Sequence, residues 1–374
     1  MSSKIVIIAN YAPSVIRFWE QLIRAFQDEG LEVSVIVPAS SGRQQVEAIE
    51  AMGCACFVVP MDPTGKNFFK DILLLRALYK CLSNIRPNYV LAYTIKPVIY
   101  GLIAARLAGI KDRLGLITGV GSAFLDDSLK GHLLLMLIKL QYRFALKSAK
   151  TVIFQNRDDK AEFVNEELVN ESQAFLVNGS GVDLDYYSYS PPFISEDQCT
   201  FLMLSRLLKD KGIYELVEAA RIVKKIHPKV RVLLAGDVDK NPSSIQISEV
   251  MKWQEEGVLE YLGPLEDVRP AIKESSVYVL PSYREGASRS VLEGMAMGRP
   301  IITTDVPGCR QMVEDGLNGF LVPAKSGKAL ATAMLKFIQE PELITKMGLA
   351  SRRIAEEKYD VHKVNQAILD ILWR

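Results

Sequence analysis

Residues 281–306 read PSYREGASRSVLEGMAMGRPIITTDV. They follow an apolar run of strand type, Val277, Tyr278, Val279 and Leu280, which Pro281 breaks. A polar loop with Glu285 and Gly286 comes next, and Ser288 and Ser290 mark the opening of a helix. Gly298, ahead of Arg299 and Pro300, closes that helix, and residues 301–304 read as the following strand. Two carboxylates therefore stand eight positions apart, Glu285 on a loop at a strand's C-terminal end and Glu293 near the start of a helix. In an open α/β sheet that edge is where ligands bind.

Working outward, the same alternation runs through the chain. Residues 4–9, 32–37, 55–59, 89–93, 113–117 and 151–154 are apolar runs of strand length. Helical patterns lie between them over 14–29, 68–85 and 97–108, with a long helix before residue 151. A turn-rich passage from Asn178, NGSGVDLDYYSYSPPFISEDQ, interrupts the pattern and reads as a linker. From Thr200 it restarts, with strands at 200–205, at 230–235 and near Val258 and Val277, helices from Gly212 and near 245–256, and a helical end after Val322. Such alternation predicts an α/β fold with parallel sheets covered on both faces. The expected organisation is a first domain over 1–185, a linker over 186–198, a second domain over 199–355 and a final segment over 356–374.

Composition narrows the function. A chain of 374 residues with 49% apolar content has material for two cores. Its 45 basic and 44 acidic side chains leave a net charge of +1, so no global charge points to nucleic acid. Five cysteines, without a C-x-x-C pair, fit reduced thiols in a cytoplasmic protein. Three scattered histidines, His132, His227 and His362, offer neither metal-ligand spacing nor a serine triad. The apolar run at 5–9 is too short for a secretory signal, and no stretch approaches the ~20 apolar residues of a membrane span.

The Glu285-x7-Glu293 pattern, in its setting EGASRSVLEGMAMGRPIITTDVPGCRQMVEDGLNGFLV, resembles the signature of GT-B glycosyltransferase family 4. These are retaining enzymes that move a sugar from a nucleotide diphosphate to an acceptor. The resemblance implies two Rossmann-like domains facing a central cleft, the first binding acceptor and the second the nucleotide sugar. It also implies a last helix, about 361–373, that crosses back onto the first domain.

Breaking the bond between an anomeric carbon and a diphosphate builds positive charge on the sugar and negative charge on the departing phosphate. A catalyst needs cations or amide dipoles already aimed at that phosphate. SRLLKDKG supplies Arg206 at a strand end and Lys211 at a helix start, and its spacing matches the family's diphosphate-binding pair. A cation in the first turn opposes the helix dipole, so structure alone does not favour Lys211 there. Gly286, Ala287 and Ser288 are small enough to let amides approach a phosphate. The resemblance assigns Glu285 to hydroxyls of the transferred sugar and Glu293 to the ribose hydroxyls. Ser290-Val291-Leu292-Glu293 also fits a capping box, in which Glu293 would serve only a backbone donor. Asp237, Leu262 and Gly263, after two further strands, stand where the family places the base. Asp237-Val238-Asp239 spells D-x-D, a metal motif of another glycosyltransferase fold, and is read here as a turn; no metal or cofactor is expected beyond a UDP-sugar donor.

Acceptor recognition is assigned to strand-end loops of the first domain, with Arg17, Lys96, Gly119 and Gly121 as candidates. Many family members carry a histidine near the position of Ile95, and this chain has none there. Residues 129–150 contain five Lys or Arg and no acid, with Lys139, Arg143, Lys147 and Lys150 at helical spacing. That stripe is either the solvated face of a packed helix or a contact with anionic lipid. VLAYTIKPVIYG and LITGVGSAF resemble the bacterial subgroup of N-acetylhexosaminyltransferases that extend polyprenyl-diphosphate-linked glycans. The expected function is transfer of an N-acetylhexosamine from a UDP-sugar to an undecaprenyl-diphosphate-linked glycan, in the cytoplasm or on the cytoplasmic face of the inner membrane. A sugar-nucleotide epimerase, a phosphorylase and a bilobal sugar-binding protein are the alternatives.

Overall fold

The computed structural model describes residues 2–62, 65, 67–120, 128–192, 199–239, 241 and 243–374. The chain divides into two units, residues 1–180 with 362–374, and residues 181–361. Residues 181–192, read from the sequence as the end of the first domain and the start of a linker, belong to the second unit. The rest of the expected linker, 193–198, lies outside the described residues, as does the acceptor candidate Gly121.

The first unit is built on β1 (Lys4–Ile8), β2 (Glu32–Pro38), β3 (Ala55–Val59), β4 (Tyr89–Tyr93), β5 (Asp112–Ile117), β6 (Thr151–Phe154) and β7 (Ala174–Leu176). They form one sheet in the order β3-β2-β1-β4-β5-β6-β7, and every pairing is parallel. Strands covered on both faces need no polar alternation, and Ile5, Val6, Ile7 and Ile8 are all buried. Leu22, Ile23 and Phe26 cover one face and Leu74, Leu78 and Leu82 the other. The expected helix over 14–29 is in fact two, Ala12–Phe18 and Glu20–Asp28. Trp19 breaks it at ψ 1°, with its ring buried and 5.4 Å from that of Tyr93. The next departure is at Pro97–Gly101, one π-helical turn before the helix Leu102–Leu107. Val364, Ile368, Leu369 and Leu372 of the last helix, Val361–Leu372, join the core containing Ile5 and Ile7.

The helix Leu129–Leu146 opens on Ser128, whose side chain accepts from the Gly131 amide at 3.0 Å. Tyr142, Ala145 and Leu146 face the core. The basic stripe is less available than the sequence suggests. Lys139 pairs with Glu166 at 2.6 Å, Arg143 donates to the Glu166 carbonyl, and Lys150 pairs with Asp112. What the helix presents outward is apolar: Leu133, Met136, Leu137, Leu140 and Phe144 are each 48–62% exposed.

The second unit repeats the plan with β8 (Thr200–Leu204), β9 (Arg231–Ala235), β10 (Glu260–Tyr261), β11 (Val277–Leu280), β12 (Ile301–Thr304) and β13 (Gly319–Val322). Their order is β10-β9-β8-β11-β12-β13, again all parallel. The segment before β8 is tied down by Arg299, which is fully buried. Its guanidinium donates to the carbonyls of Ile272 and Ser190 at 2.8 Å and to the Ser190 hydroxyl at 3.0 Å. Burial pushes Arg299 down to about 10, so it remains a cation at neutral pH although every acceptor it meets there is neutral. Arg299→Met strands those acceptors, and urea unfolding should register a loss of about 2–4 kcal/mol.

Candidate active site

In the second unit the strand order reverses between β8 and β11. The crevice outside the carboxyl ends of two such strands is the expected ligand position in a doubly wound sheet. The loops leaving these strands pack backbone to backbone. Gly212, at φ +76°, lies where an added Cβ would stand 2.1 Å from the Pro281 carbonyl oxygen, and the Tyr283 amide donates to the Asp210 carbonyl at 2.9 Å. Only a residue without a side chain that tolerates positive φ permits this approach.

That packing brings two of the sequence candidates into contact. Lys211 Nζ lies 2.6 Å from Glu285 Oε1, with the side chains only 15% and 13% exposed. Ser282 Oγ donates to the same Oε1 at 2.7 Å. The Glu285 backbone is fixed as well, its amide donating to the Pro307 carbonyl at 3.0 Å. Gly308, at φ +77°, leaves room for the Glu285 carbonyl, which a Cβ would meet at 2.0 Å. The thiol of Cys309 is pushed up to about 12, chiefly by burial and next by the Glu285 carboxylate, so it stays neutral behind the pair.

Arg206 takes a different partner, Asp239 Oδ2 at 2.5 Å, and stays 62% exposed. Its strand end is held close to the next by Gly236, where a Cβ would stand 1.7 Å from the Ser205 carbonyl oxygen. The D-x-D sequence spends its carboxylates locally. Asp237 accepts from the Val238 amide at 2.8 Å, and Asp239 accepts from the Asn241 amide at 2.9 Å while holding Arg206. Leu262 and Gly263 follow β10, the Leu262 amide donating to Leu234 and the Gly263 carbonyl accepting from Gly236 at 3.0 Å.

Glu293 is not in a capping box. The helix Arg289–Ala296 begins one residue after Ser288, so Ser290 is already inside it and Glu293 lies in its second turn. Ser288 makes no side-chain cap bond, and its hydroxyl lies 3.2 Å from that of Ser290. Instead Glu293 Oε1 accepts from the Tyr187 hydroxyl at 2.9 Å and from Arg289 Nε at 3.3 Å. Gly286, Ala287 and Ser288 form the turn between Glu285 and that helix. Sequence reasoning missed Ser282, Tyr187 and Arg289, and it read Asp239 only as part of a turn, without its Arg206 partner. The i,i+4 spacing of Arg289 and Glu293 was a usable signal, whereas Tyr187 is 106 residues from its partner.

The first unit reverses its strand order between β1 and β4. Ser14 and Tyr93 hydroxyls join at 2.8 Å across that point. Thr94, directly after β4, has φ +69°, a costly conformation for a β-branched residue. Lys96 points its ammonium at Asp71, 2.7 Å away in a pair 12–13% exposed, and Tyr100 donates to the other Asp71 oxygen at 3.0 Å. Arg17 is exposed near the end of the helix Ala12–Phe18, and Gly119 follows β5 at φ +115°. Among the described residues, no hydrogen bond or ion pair joins Arg17, Lys96 and Gly119.

Two open, all-parallel sheets, each with a reversal of strand order, are the architecture of the GT-B class. The structure of Anabaena Alr3699/HepE in complex with UDP and glucose matches with a TM-score of 0.79 at 18% identity, over 99% of each chain. Sucrose-phosphate synthase from Thermosynechococcus elongatus matches with a TM-score of 0.79 at 16% identity, over 99% of this chain and 98% of that one. In sequence, residues 198–340 match the family "Glycosyl transferases group 1" and residues 4–156 the family "Glycosyl transferase 4-like". The N,N'-diacetylbacillosaminyl-diphospho-undecaprenol alpha-1,3-N-acetylgalactosaminyltransferase of Campylobacter jejuni is 27% identical over 98% of both chains. The UDP-Gal:alpha-D-GlcNAc-diphosphoundecaprenol alpha-1,3-galactosyltransferase of Escherichia coli is 26% identical over 77% of this chain and 76% of its own. The chain is a glycosyltransferase of the GT-B fold, its first unit matching the 4-like family and its second group 1.

Because a Cβ at position 308 displaces the Glu285 backbone, Gly308→Ala should lower sugar transfer on the order of a hundredfold. Circular dichroism, compared with turnover in the same preparation, checks that the fold survives the change.

Proposed function

We propose that the chain transfers an N-acetylhexosamine, with retention, from a UDP-sugar to an undecaprenyl-diphosphate-linked glycan, and needs no metal or other cofactor. The observation that carries this reading is the Lys211–Glu285 pair at the strand reversal of the second unit. A UDP complex in a protein of the same fold supports the choice of nucleotide. The two diphosphoundecaprenol-dependent relatives support the acceptor.

In this mechanism the ammonium of Lys211 turns from Glu285 toward the β-phosphate, and Arg206 leaves Asp239 to join it. The bond between the anomeric carbon and the diphosphate oxygen breaks as the acceptor hydroxyl forms its bond to that carbon on the same face. The electron pair leaves with UDP, and the hydroxyl proton passes to the departing phosphate oxygen. Lys211 and Arg206 stabilise the charge developing there. Glu285, held by Ser282, accepts hydrogen bonds from hydroxyls of the transferred sugar, and Glu293 accepts them from the ribose. Amides of Gly286 and Ala287 face the diphosphate, and Asp237, Leu262 and Gly263 border the base. In the first unit Arg17 and Gly119 contact the acceptor, whereas Lys96 shapes its loop through Asp71.

Incubation with UDP-N-acetylhexosamines and a synthetic polyprenyl-diphosphate sugar should release UDP in step with product. Lys211→Ala and Glu285→Ala should each slow that release on the order of a hundredfold or more while melting near the parent. Turnover within a few-fold of the parent in either variant would refute the assignment.

The exposed apolar face of the helix Leu129–Leu146 supports a peripheral location on the cytoplasmic leaflet, where a lipid-linked acceptor is presented. Among the described residues no helix is long and apolar enough to cross a membrane. Leu140 and Phe144 would enter the headgroup region, with Lys147 beside anionic lipid. Replacing Met136, Leu140 and Phe144 together by Gln should cut co-sedimentation with phosphatidylglycerol vesicles at least several-fold. Binding of UDP measured without vesicles should stay unchanged.

A further inference from the structure

The passage 181–187 was legible in sequence only as turn-rich. In the structure it is a strap laid against the helix Arg289–Ala296. Arg289 donates to the Gly181 carbonyl at 3.0 Å. Arg352 donates to the Tyr187 carbonyl at 3.0 Å and to the Ala296 carbonyl, at that helix's end, at 2.7 Å. Asp183 folds the strap on itself, its side chain accepting from the Asp185 and Tyr186 amides and its carbonyl from the Tyr187 amide. Val182 pairs with the segment around Asp360. These contacts fix the Tyr187 backbone without its hydroxyl.

The hydroxyl is directed elsewhere. It donates to Glu293 Oε1 at 2.9 Å, the atom that also accepts from Arg289 Nε. The Tyr187 ring is 9% exposed and meets Tyr186 edge-on at 5.0 Å. Burial first, and then the Glu293 charge, raise the phenol above its ordinary range, so it remains a proton donor at any physiological pH. A carboxylate with one neutral and one cationic donor on a single oxygen has little rotational freedom left. A ribose diol meeting it would not have to order it first.

We infer that Tyr187 and Arg289 are positioning residues for the donor nucleotide, presetting the Glu293 carboxylate that receives the ribose hydroxyls. The inference rests on the ribose role given to Glu293 above. Tyr187 acts through Glu293 and need not touch the substrate. A phenylalanine there would keep the ring, the strap and the core, and would lose only the hydrogen bond.

The test uses the full chain, UDP and 2′-deoxy-UDP as calorimetric probes, and the UDP-sugar in steady state. Tyr187→Phe should weaken UDP binding and raise the donor KM by roughly tenfold, the scale of one hydrogen bond to a charged group. The kcat should move less than threefold and the melting temperature stay close to the parent. Toward 2′-deoxy-UDP the penalty should shrink, and in Glu293→Gln it should vanish, because the tyrosine then has no oriented carboxylate to act through. Unchanged UDP affinity in Tyr187→Phe, together with weakened affinity in Glu293→Gln, would overturn the positioning role and leave the ribose reading intact. Equal penalties on both nucleotides would also overturn it. Unchanged UDP affinity in Glu293→Gln would remove the ribose reading itself.

Discussion

Everything at the C-terminal edge of the second sheet depends on backbone approaching backbone where no side chain intervenes. Gly212 against Pro281, Gly236 against Ser205 and Gly308 against Glu285 are three such contacts. Together they draw the ends of neighbouring strands into one cluster of loops. The Lys211–Glu285 pair, 74 residues apart in sequence, is a result of that packing. Two nearly dry charges at 2.6 Å do not make this unit stable in any large measure, because desolvation offsets much of their attraction. Their value is positional: each holds the other in a defined rotamer until a ligand offers a competing charge.

Under the proposed function, the pair also constrains how a phosphate enters. An ammonium already satisfied by a carboxylate and buried to this degree gains less from a second anion than a free one does. A diphosphate must therefore bring enough charge, and enough further contacts, to make the exchange favourable. Arg206 is placed differently. It is largely exposed and held by a single carboxylate, so its reorientation costs little. One cation of the proposed diphosphate site is thus fixed within the loop packing and the other is mobile on a long side chain. Such a division suits a leaving group that must be gripped during bond cleavage and later released.

Much of this was legible in the sequence, for a definable reason. Parallel strands covered on both faces become uninterrupted apolar runs, which is why 4–8, 89–93, 200–204 and 277–280 could be read directly. β7 was missed because three residues make no pattern, and β13 because Gly319 opens it. The helix broken at Trp19 and the π turn at Pro97 are decided by tertiary packing, which an apolar periodicity does not encode. In the site, the residue types were readable because the local run around Glu285 and Glu293 is distinctive. Their partners far along the chain were not. Tyr187, Asp239 and Asp71 meet Glu293, Arg206 and Lys96 over separations of 106, 33 and 25 residues. Two cations of the basic stripe, Lys139 and Lys150, likewise have acidic partners, Glu166 and Asp112, that are distant in sequence.

The last helix has one more implication. Residues 362–374 complete a core whose other members lie before residue 181, so the first unit is assembled from both sides of the second. During vectorial synthesis, Ile5 and Ile7 leave the ribosome hundreds of residues ahead of Ile368 and Leu369, which finally cover them. The second unit can close first, as a contiguous segment, while the earlier-made sheet waits with an apolar face open to chaperones. Closing the longest loop in the molecule is then the final event, and a chain cut just after Val361 would carry every residue of the second unit while leaving the first without its last helix.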